Sequence, residues 1–284
     1  MAAGIKDIKR RIKSVESTKQ ITKAMELVAS SKLRKAKEKA ANSRPYFSTL
    51  YNTVVSISKN TSGIKNEFLD KRDVKNKCYI VIAGDRRLAG GYNSNILKAS
   101  VAHMEGKKEK IIPVGKKSLE FFRKREYDIL ETVDSVEYSG YGEASKVANA
   151  AMNAYKNGDV DEVYVYYTEF VSPLVQEVKM LKLLPITFDA NEQYEARVPG
   201  VVEYEPSPED VLNYIIPKYV AGSIYGSILE AFASEQGARR VSMESATDNA
   251  DDMIDKLELS YNRARQSAIT QEISEIVGGS EALK

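Results

Sequence analysis

Two stretches of regularly spaced apolar and small residues, one at each end of the chain, most constrain its fold. In the N-terminal stretch these residues advance by threes and fours, in ten steps over thirty-five residues. A mean step of 3.5 residues is the period of a left-handed coiled coil. The N-terminal stretch consists of Ile5, Ile8, Ile12, Val15, Thr18, Thr22, Met25, Ala29, Leu33, Ala36 and Ala40.

The C-terminal stretch has the same alternation of steps. Because one chain carries two such stretches, we expect its N- and C-terminal helices to pair as an antiparallel coiled coil. An alternative interpretation makes both of them surface helices of an ordinary bundle. The C-terminal stretch consists of Met243, Thr247, Ala250, Ile254, Leu257, Tyr261, Ala264, Ala268 and Gln271.

Charge and length favour the coiled coil. Residues 1–45 contain thirteen Lys and Arg against four Asp and Glu, a net of +9, and residues 205–284 contain seven against fourteen, a net of −7. Pro217 is the one strong helix breaker between Pro208 and Gly278. A helix of about 70 residues would measure roughly 105 Å, so we expect it to protrude from any domain of this size.

Composition indicates the cellular setting. The single Cys78 excludes a disulfide framework, and the basic N-terminus lacks the apolar core of a signal peptide. No window approaches eighteen apolar residues, so we expect contact with a membrane only through partners. We therefore expect the protein to be made and kept in the cytosol.

The middle of the chain alternates strands and helices, which predicts a Rossmann-like α/β domain with a mostly parallel sheet. We divide the chain into an N-terminal coiled-coil helix (1–57), a central α/β domain (75–190) and a C-terminal coiled-coil helix (208–284). The predicted helices cover 94–105, 116–126 and 142–157. The predicted strands cover 79–83, 110–114, 129–133, 163–167 and 175–184, the last of them an antiparallel edge strand.

The central domain lacks the motifs of a catalytic or cofactor site. The segment 83–92 does not have the G-x-G-x-x-G spacing of a dinucleotide-binding loop, and Gly115 is followed by Lys-Lys-Ser without the rest of a phosphate loop. His103 is the sole histidine and has no Cys or carboxylate at metal-ligand spacing. We therefore predict no catalytic residue, no cofactor and no metal, which leaves a shaft, an adaptor or a scaffold.

Long motifs at both ends resemble the gamma subunit of F-type ATP synthases, in its bacterial form. Residues 21–33 read ITKAMELVASSKL, similar to that family's N-terminal signature, and the blocks 233–240, 243–250 and 259–273 are similar to its C-terminal ones. The resemblance covers effectively the full chain. One departure lies in the loop after the first strand, where Arg87 and Ala89 stand at positions that the family usually fills with Gly and Cys.

The resemblance implies a central rotor that couples ion flow through a membrane c-ring to ATP synthesis or hydrolysis on other chains. The implied partners are the alpha and beta subunits of an alpha3beta3 hexamer, the epsilon subunit and the c-ring, with no nucleic acid. The implied contacts with a beta subunit are Met25, Arg265, Gln266 and Thr270. Those with the c-ring or epsilon are Glu203, Tyr204 and Glu205.

A second hypothesis comes from a different functional class. The +9 N-terminal helix is typical of a nucleic-acid-binding coiled-coil adaptor or scaffold. The two hypotheses differ in the pairing of the helices, because an acidic C-terminal helix would neutralise the charge that such an adaptor needs to display.

Overall fold

The computed structural model describes residues 2–60, 66–70, 72–104, 106, 108–187 and 204–281. Along the chain, a long helix at each end flanks a central α/β region. The elements are α1 (Ala2–Asn60), β1 (Lys77–Ile82), α2 (Tyr92–Ala102), β2 (Lys110–Val114), α3 (Lys116–Lys124), β3 (Asp128–Ile129), α4 (Tyr141–Lys156), β4 (Glu162–Phe170), β5 (Gln176–Leu184) and α5 (Pro208–Glu281).

The two terminal helices are long and continuous, as the seam pattern predicts. Helix α1 has 59 residues and α5 has 74, and neither Pro45 nor Pro217 ends its helix. Helix α5 begins at Pro208, which suits a first helical position because a proline there loses no needed hydrogen bond. In the described part of the chain, no helix combines the length and apolar character needed to cross a bilayer.

The chain divides into two compact units. The first comprises the residues up to Ala29 together with those from Arg240 onward, and the second runs from Ser30 to Arg239. The first unit is therefore made from the ends of α1 and α5, and the second contains the sheet. The three-segment division drawn from the sequence stays a prediction.

The five-stranded sheet has the strand order β3-β2-β1-β4-β5. Strands β1 to β4 are parallel and β5 pairs with β4 in the antiparallel direction, so the prediction of a mostly parallel sheet with an antiparallel edge is confirmed. The third strand is shorter than predicted, because only Asp128 and Ile129 pair continuously before an isolated bridge at Val133. The Glu131 carboxylate accepts the Thr132 N–H at 2.8 Å and so takes a donor away from the ladder.

Apolar side chains cover both faces of the sheet. On one face, α4 and parts of α1 and α5 pack against the strands around Ile80, Ile112 and Val165. On the other face, Ile96, Leu97 and Phe122 of α2 and α3 pack against Tyr79, Val81 and Tyr164. These faces alternate along each strand, as expected for a sheet buried between two helical layers.

Candidate functional site

The first unit is built on the predicted seam. Thr22 and Thr247 are buried, and their hydroxyl oxygens lie 2.8 Å apart across the two helices. Lys19 pairs with Asp251 beside them. Each hydroxyl also lies within hydrogen-bond distance of a carbonyl oxygen of its own helix, Lys19 for Thr22 and Met243 for Thr247. The contact between the two hydroxyls, which only this register makes, adds to these bonds.

Two predicted seam positions are wrong. Thr18 is exposed and donates its hydroxyl hydrogen to the Ser14 carbonyl oxygen of its own helix at 3.1 Å. Gln271 is also exposed and donates from its amide to Glu275 at 2.8 Å. Both side chains are exposed, so neither belongs to the buried seam.

Apolar side chains also lie outside the seam of this unit. On α1, Ile21 is 61% exposed and Val28, two turns later on the same face, is 55% exposed. An exposed apolar surface of this kind on a helix pair is typical of a protein–protein interface. Among the described residues of the unit, the exposed large apolar ones are Ile21, Leu27, Val28, Met253, Leu259, Ile269, Ile273, Ile276 and Val277.

The predicted beta-contact residues occupy two separate levels of the first unit. Met25 is half-buried, between the seam residues Thr22 and Ala29. Arg265, Gln266 and Thr270 are exposed on α5. Thr247 faces Thr22, and Arg265 comes eighteen residues after Thr247, about 27 Å along the helix. The structure therefore groups the three α5 residues and leaves Met25 at a distance from them.

The predicted c-ring or epsilon contacts precede α5, and Glu203 lies outside the described residues. Tyr204 is half-buried against the core cluster that contains Leu212, while Glu205 is exposed. Ser207 caps the helix by accepting the Asp210 N–H at 3.1 Å and by donating to the Asp210 carboxylate.

The carboxyl ends of the parallel strands carry polar side chains that are bonded to the protein itself. The Asp85 carboxylate accepts the Val136 N–H at 3.0 Å and the Ser135 hydroxyl at 2.6 Å. His103 lies 3.0 Å from the Tyr79 hydroxyl through Nδ1, and the described residues contain no cluster of side chains able to hold a metal. The Asp85 carboxylate thus ties the loop after β1 to the segment after β3.

A buried ion pair in the second unit was missed by the sequence reasoning. Glu235 and Arg239 are 3% and 7% exposed, and the guanidinium lies 2.5 Å from the carboxylate. Burial raises the pKa of Glu235, Arg239 opposes the rise, and the nearby Asp85 and Glu137 carboxylates strengthen it. The available signal was an acid four residues before a base, flanked by Ala and Gly, because such spacing pairs on one helical face.

The region around the Glu235–Arg239 pair also contains Arg87 and Ala89, the two residues that depart from the family pattern. Arg87 contributes its carbonyl oxygen to Arg239 at 3.3 Å, a contact that any residue type can supply. Ala89 is buried in a small cluster with Tyr92 and Ala238. Leu88 between them takes a positive φ of 67° and is exposed.

Comparison with known proteins identifies the family. A sequence model of the ATP synthase family matches residues 4–283. The chain is 50% identical to the ATP synthase gamma chain of Alkaliphilus metalliredigens, with both chains covered in full. It is 47% identical to a gamma chain of Acetobacterium woodii described as sodium ion specific, again over both full lengths. The chain belongs to the ATP synthase gamma-chain family.

Solved structures agree on the fold. A chain of the Euglena gracilis mitochondrial ATP synthase superposes with a TM-score of 0.69 at 19% identity, covering 100% of this chain and 95% of that one. A chain of the Tetrahymena thermophila central stalk and c-ring structure gives 0.61 at 23% identity, covering 80% and 99%. As a gamma chain, the protein is the non-catalytic rotor subunit of a membrane-associated ATP synthase, whose catalysis lies on the beta subunits.

Proposed function

We propose that the first unit is the part of the rotor that turns inside an alpha3beta3 hexamer, at the cytoplasmic face of the cell membrane. We call the side of this unit that slides against the hexamer its bearing surface. The observation that carries the proposal is the exposed apolar surface outside the seam, of which Ile21, Val28 and Met253 are members. Scattered apolar side chains suit a rotating shaft. They exclude water from the contact with the surrounding subunits, and no single deeply inserted side chain holds the rotor at one angle.

We infer that Arg265, Gln266 and Thr270 contact one beta subunit at a time. All three are exposed on α5 and lie within six residues, so a single loop of a partner can reach them together. The contact is a charge-assisted hydrogen bond from Arg265 supplemented by the Gln266 amide and the Thr270 hydroxyl. It would form in one rotary position and break in the next.

The test of the bearing surface is Met25→Lys in the reconstituted membrane complex. A lysine at this half-buried position adds a long cation at the edge of the seam, next to a helix whose first 45 residues already carry a net of +9. We expect the cation to pair with stator carboxylates and hold the rotor at one angle. ATP-driven ion pumping should fall severalfold while most of the ATPase activity remains.

The matched control is Met25→Leu, which keeps volume and apolar character. It should pump normally. Equal losses of pumping and hydrolysis in Met25→Lys would contradict the proposal, because they would indicate damage to the catalytic sites instead of lost coupling.

We propose that the segment before α5, with Glu203, Tyr204 and Glu205, contacts the c-ring and the epsilon subunit. The support is the exposure of Glu205 beside a half-buried Tyr204 that anchors the segment to the core. The structures with similar folds include assemblies described as containing the c-ring. Such a contact gives the rotor its attachment to the membrane sector.

Charge reversal by Glu205→Lys should weaken this attachment. We expect a several-fold larger share of the F1 complex in the wash from membranes, while the ATPase activity of the released complex is unchanged. Glu120→Lys reverses an exposed charge on α3 and should leave attachment intact. Equal retention of the Glu205 variant and the wild type on membranes would contradict the proposed contact with the membrane sector.

A further inference from the structure

The strand order places a ligand crevice at a definite position in the second unit. Strand β1 lies between β2 and β4, so the chain first builds outward through β2 and β3 and then returns to the other side of β1. In open α/β sheets, ligands bind outside the carboxyl ends of the strands at such a reversal. Here that crevice lies between Gly84, which follows β1, and the end of β4.

Helix α5 of the same chain fills the crevice. The Ser234 hydroxyl donates to the Thr168 carbonyl oxygen of β4 at 2.9 Å, and the Phe170 N–H donates to Glu230 at 3.4 Å. On the β1 side, the Tyr92 hydroxyl donates to the Ala231 carbonyl oxygen at 2.9 Å. These contacts put the α5 segment 230–239 where a free ligand would otherwise bind.

Within that segment, Glu235 points at the backbone of the loop after β1. A Cβ atom on Gly84 would lie 2.7 Å from the Glu235 carboxyl carbon, so the close approach depends on glycine at position 84. A glycine in the loop that follows the first strand is also what lets the backbone of nucleotide-binding folds approach a phosphate. Arg239 faces the same carboxylate and holds the loop through the Arg87 carbonyl oxygen.

We propose that Glu235 acts as an anionic ligand of the second unit, covalently attached because it belongs to the same chain. Its carboxylate fills the crevice beside Gly84, and together with Arg239 it keeps the loop 84–91 closed on α5. Removal of the carboxylate leaves a small cavity that takes a free carboxylate, of which formate is the smallest, with Arg239 as its partner. The second unit thus contains a ligand-binding crevice of the kind found in doubly wound folds. Helix α5 of the same chain occupies it.

The experiment is chemical rescue of Glu235→Ala in the full-length chain. Sodium formate is compared with sodium chloride at the same ionic strength, and two readouts are followed. The first is the thermal midpoint, and the second is the rate of trypsin cleavage after Arg86 or Arg87, identified by mass spectrometry. Both arginines are exposed, so the rate reports opening of the loop.

We expect Glu235→Ala to be cleaved roughly tenfold faster than the wild type in chloride, since a charge-assisted contact that closes the loop has been removed. Formate should restore much of the protection and raise the thermal midpoint of this variant, with no such effect on the wild type. In Glu235→Ala/Arg239→Ala the response to formate should disappear, because the cation that binds the anion is gone. Glu235→Gln keeps the crevice filled and should show no response either.

The opposite results are equally clear. A formate effect of the same size in all four proteins, or none in Glu235→Ala, overturns the proposal. If Glu235→Ala fails to fold, Glu235→Asp replaces it, because this variant keeps the charge and retracts the carboxylate from Gly84 by one methylene group. Wild-type cleavage rates at Arg86 and Arg87 in the aspartate variant would then contradict the assigned role.

Discussion

Replacing Arg265 and Gln266 together by leucine should lower ATP turnover of the reconstituted complex severalfold while α5 stays helical. Both side chains are exposed, so their loss should change the free energy of unfolding by no more than about 0.5 kcal/mol. A charge-assisted contact with a beta subunit is worth about 1.5–3 kcal/mol, and its loss raises the free energy of the rotary position in which the contact forms, so the step that enters this position slows. Turnover assays and circular dichroism measure the two effects separately.

The control for this variant is Gln271→Leu. Gln271 is also exposed on α5, but it is rotated by about 120° from Arg265 and about 140° from Gln266 around the helix. It should leave turnover unchanged. If the double variant keeps full turnover and loses helicity, the two residues are structural and the assigned contact is wrong.

Gly115→Ala should have the largest effect on stability. Gly115 connects β2 to α3 with φ at 91°, a conformation that L side chains rarely adopt. An added Cβ would also collide with the Ala83 carbonyl oxygen, a backbone atom that cannot turn aside. We expect the free energy of unfolding to fall by about 3 kcal/mol or more, measured by urea denaturation of the full-length chain.

Gly142→Ala provides the contrast. Gly142 lies in the first turn of α4, and an added Cβ there meets no atom within 4 Å. The unfolded chain loses freedom while the helix gains a better helix former, so we expect a gain of up to about 1 kcal/mol. Similar losses in the two variants would show that the Gly115 backbone adapts, contrary to the expectation.

The helices and most strands could be predicted from the sequence because their signals are local. The spacing of Ile5, Ile8 and Ile12 repeats over many turns, and a long periodic pattern is hard to satisfy with any other structure. The third strand was overestimated because Ile129 to Val133 looks like a strand on its own. Its pairing is interrupted where the Glu131 carboxylate accepts the Thr132 N–H, and an apolar pattern cannot predict this bond.

The residues proposed to contact partners were identified from sequence motifs and not from periodicity. Arg265, Gln266 and Thr270 were found because they lie in a motif resembling one family, and their exposure on α5 agrees with a role in binding another chain. Glu235 and Arg239 also lie in such a motif, and their spacing indicates an ion pair on one helical face, but nothing in the motif predicts that the pair is buried. Their burial follows from the sheet, because β4 and the loop after β1 close over that part of α5.

The sequence by itself determined the architecture of this rotor subunit: a seam of 3.5-residue period at both ends, opposite charges on the two helices, and an alternating α/β middle. The tertiary structure alone decided which polar groups meet. The register of Thr22 against Thr247 and the position of Glu235 beside Gly84 depend on packing between segments more than a hundred residues apart. Local periodicity specifies which face of a helix is buried, whereas the partner on that face depends on how the whole chain closes its core.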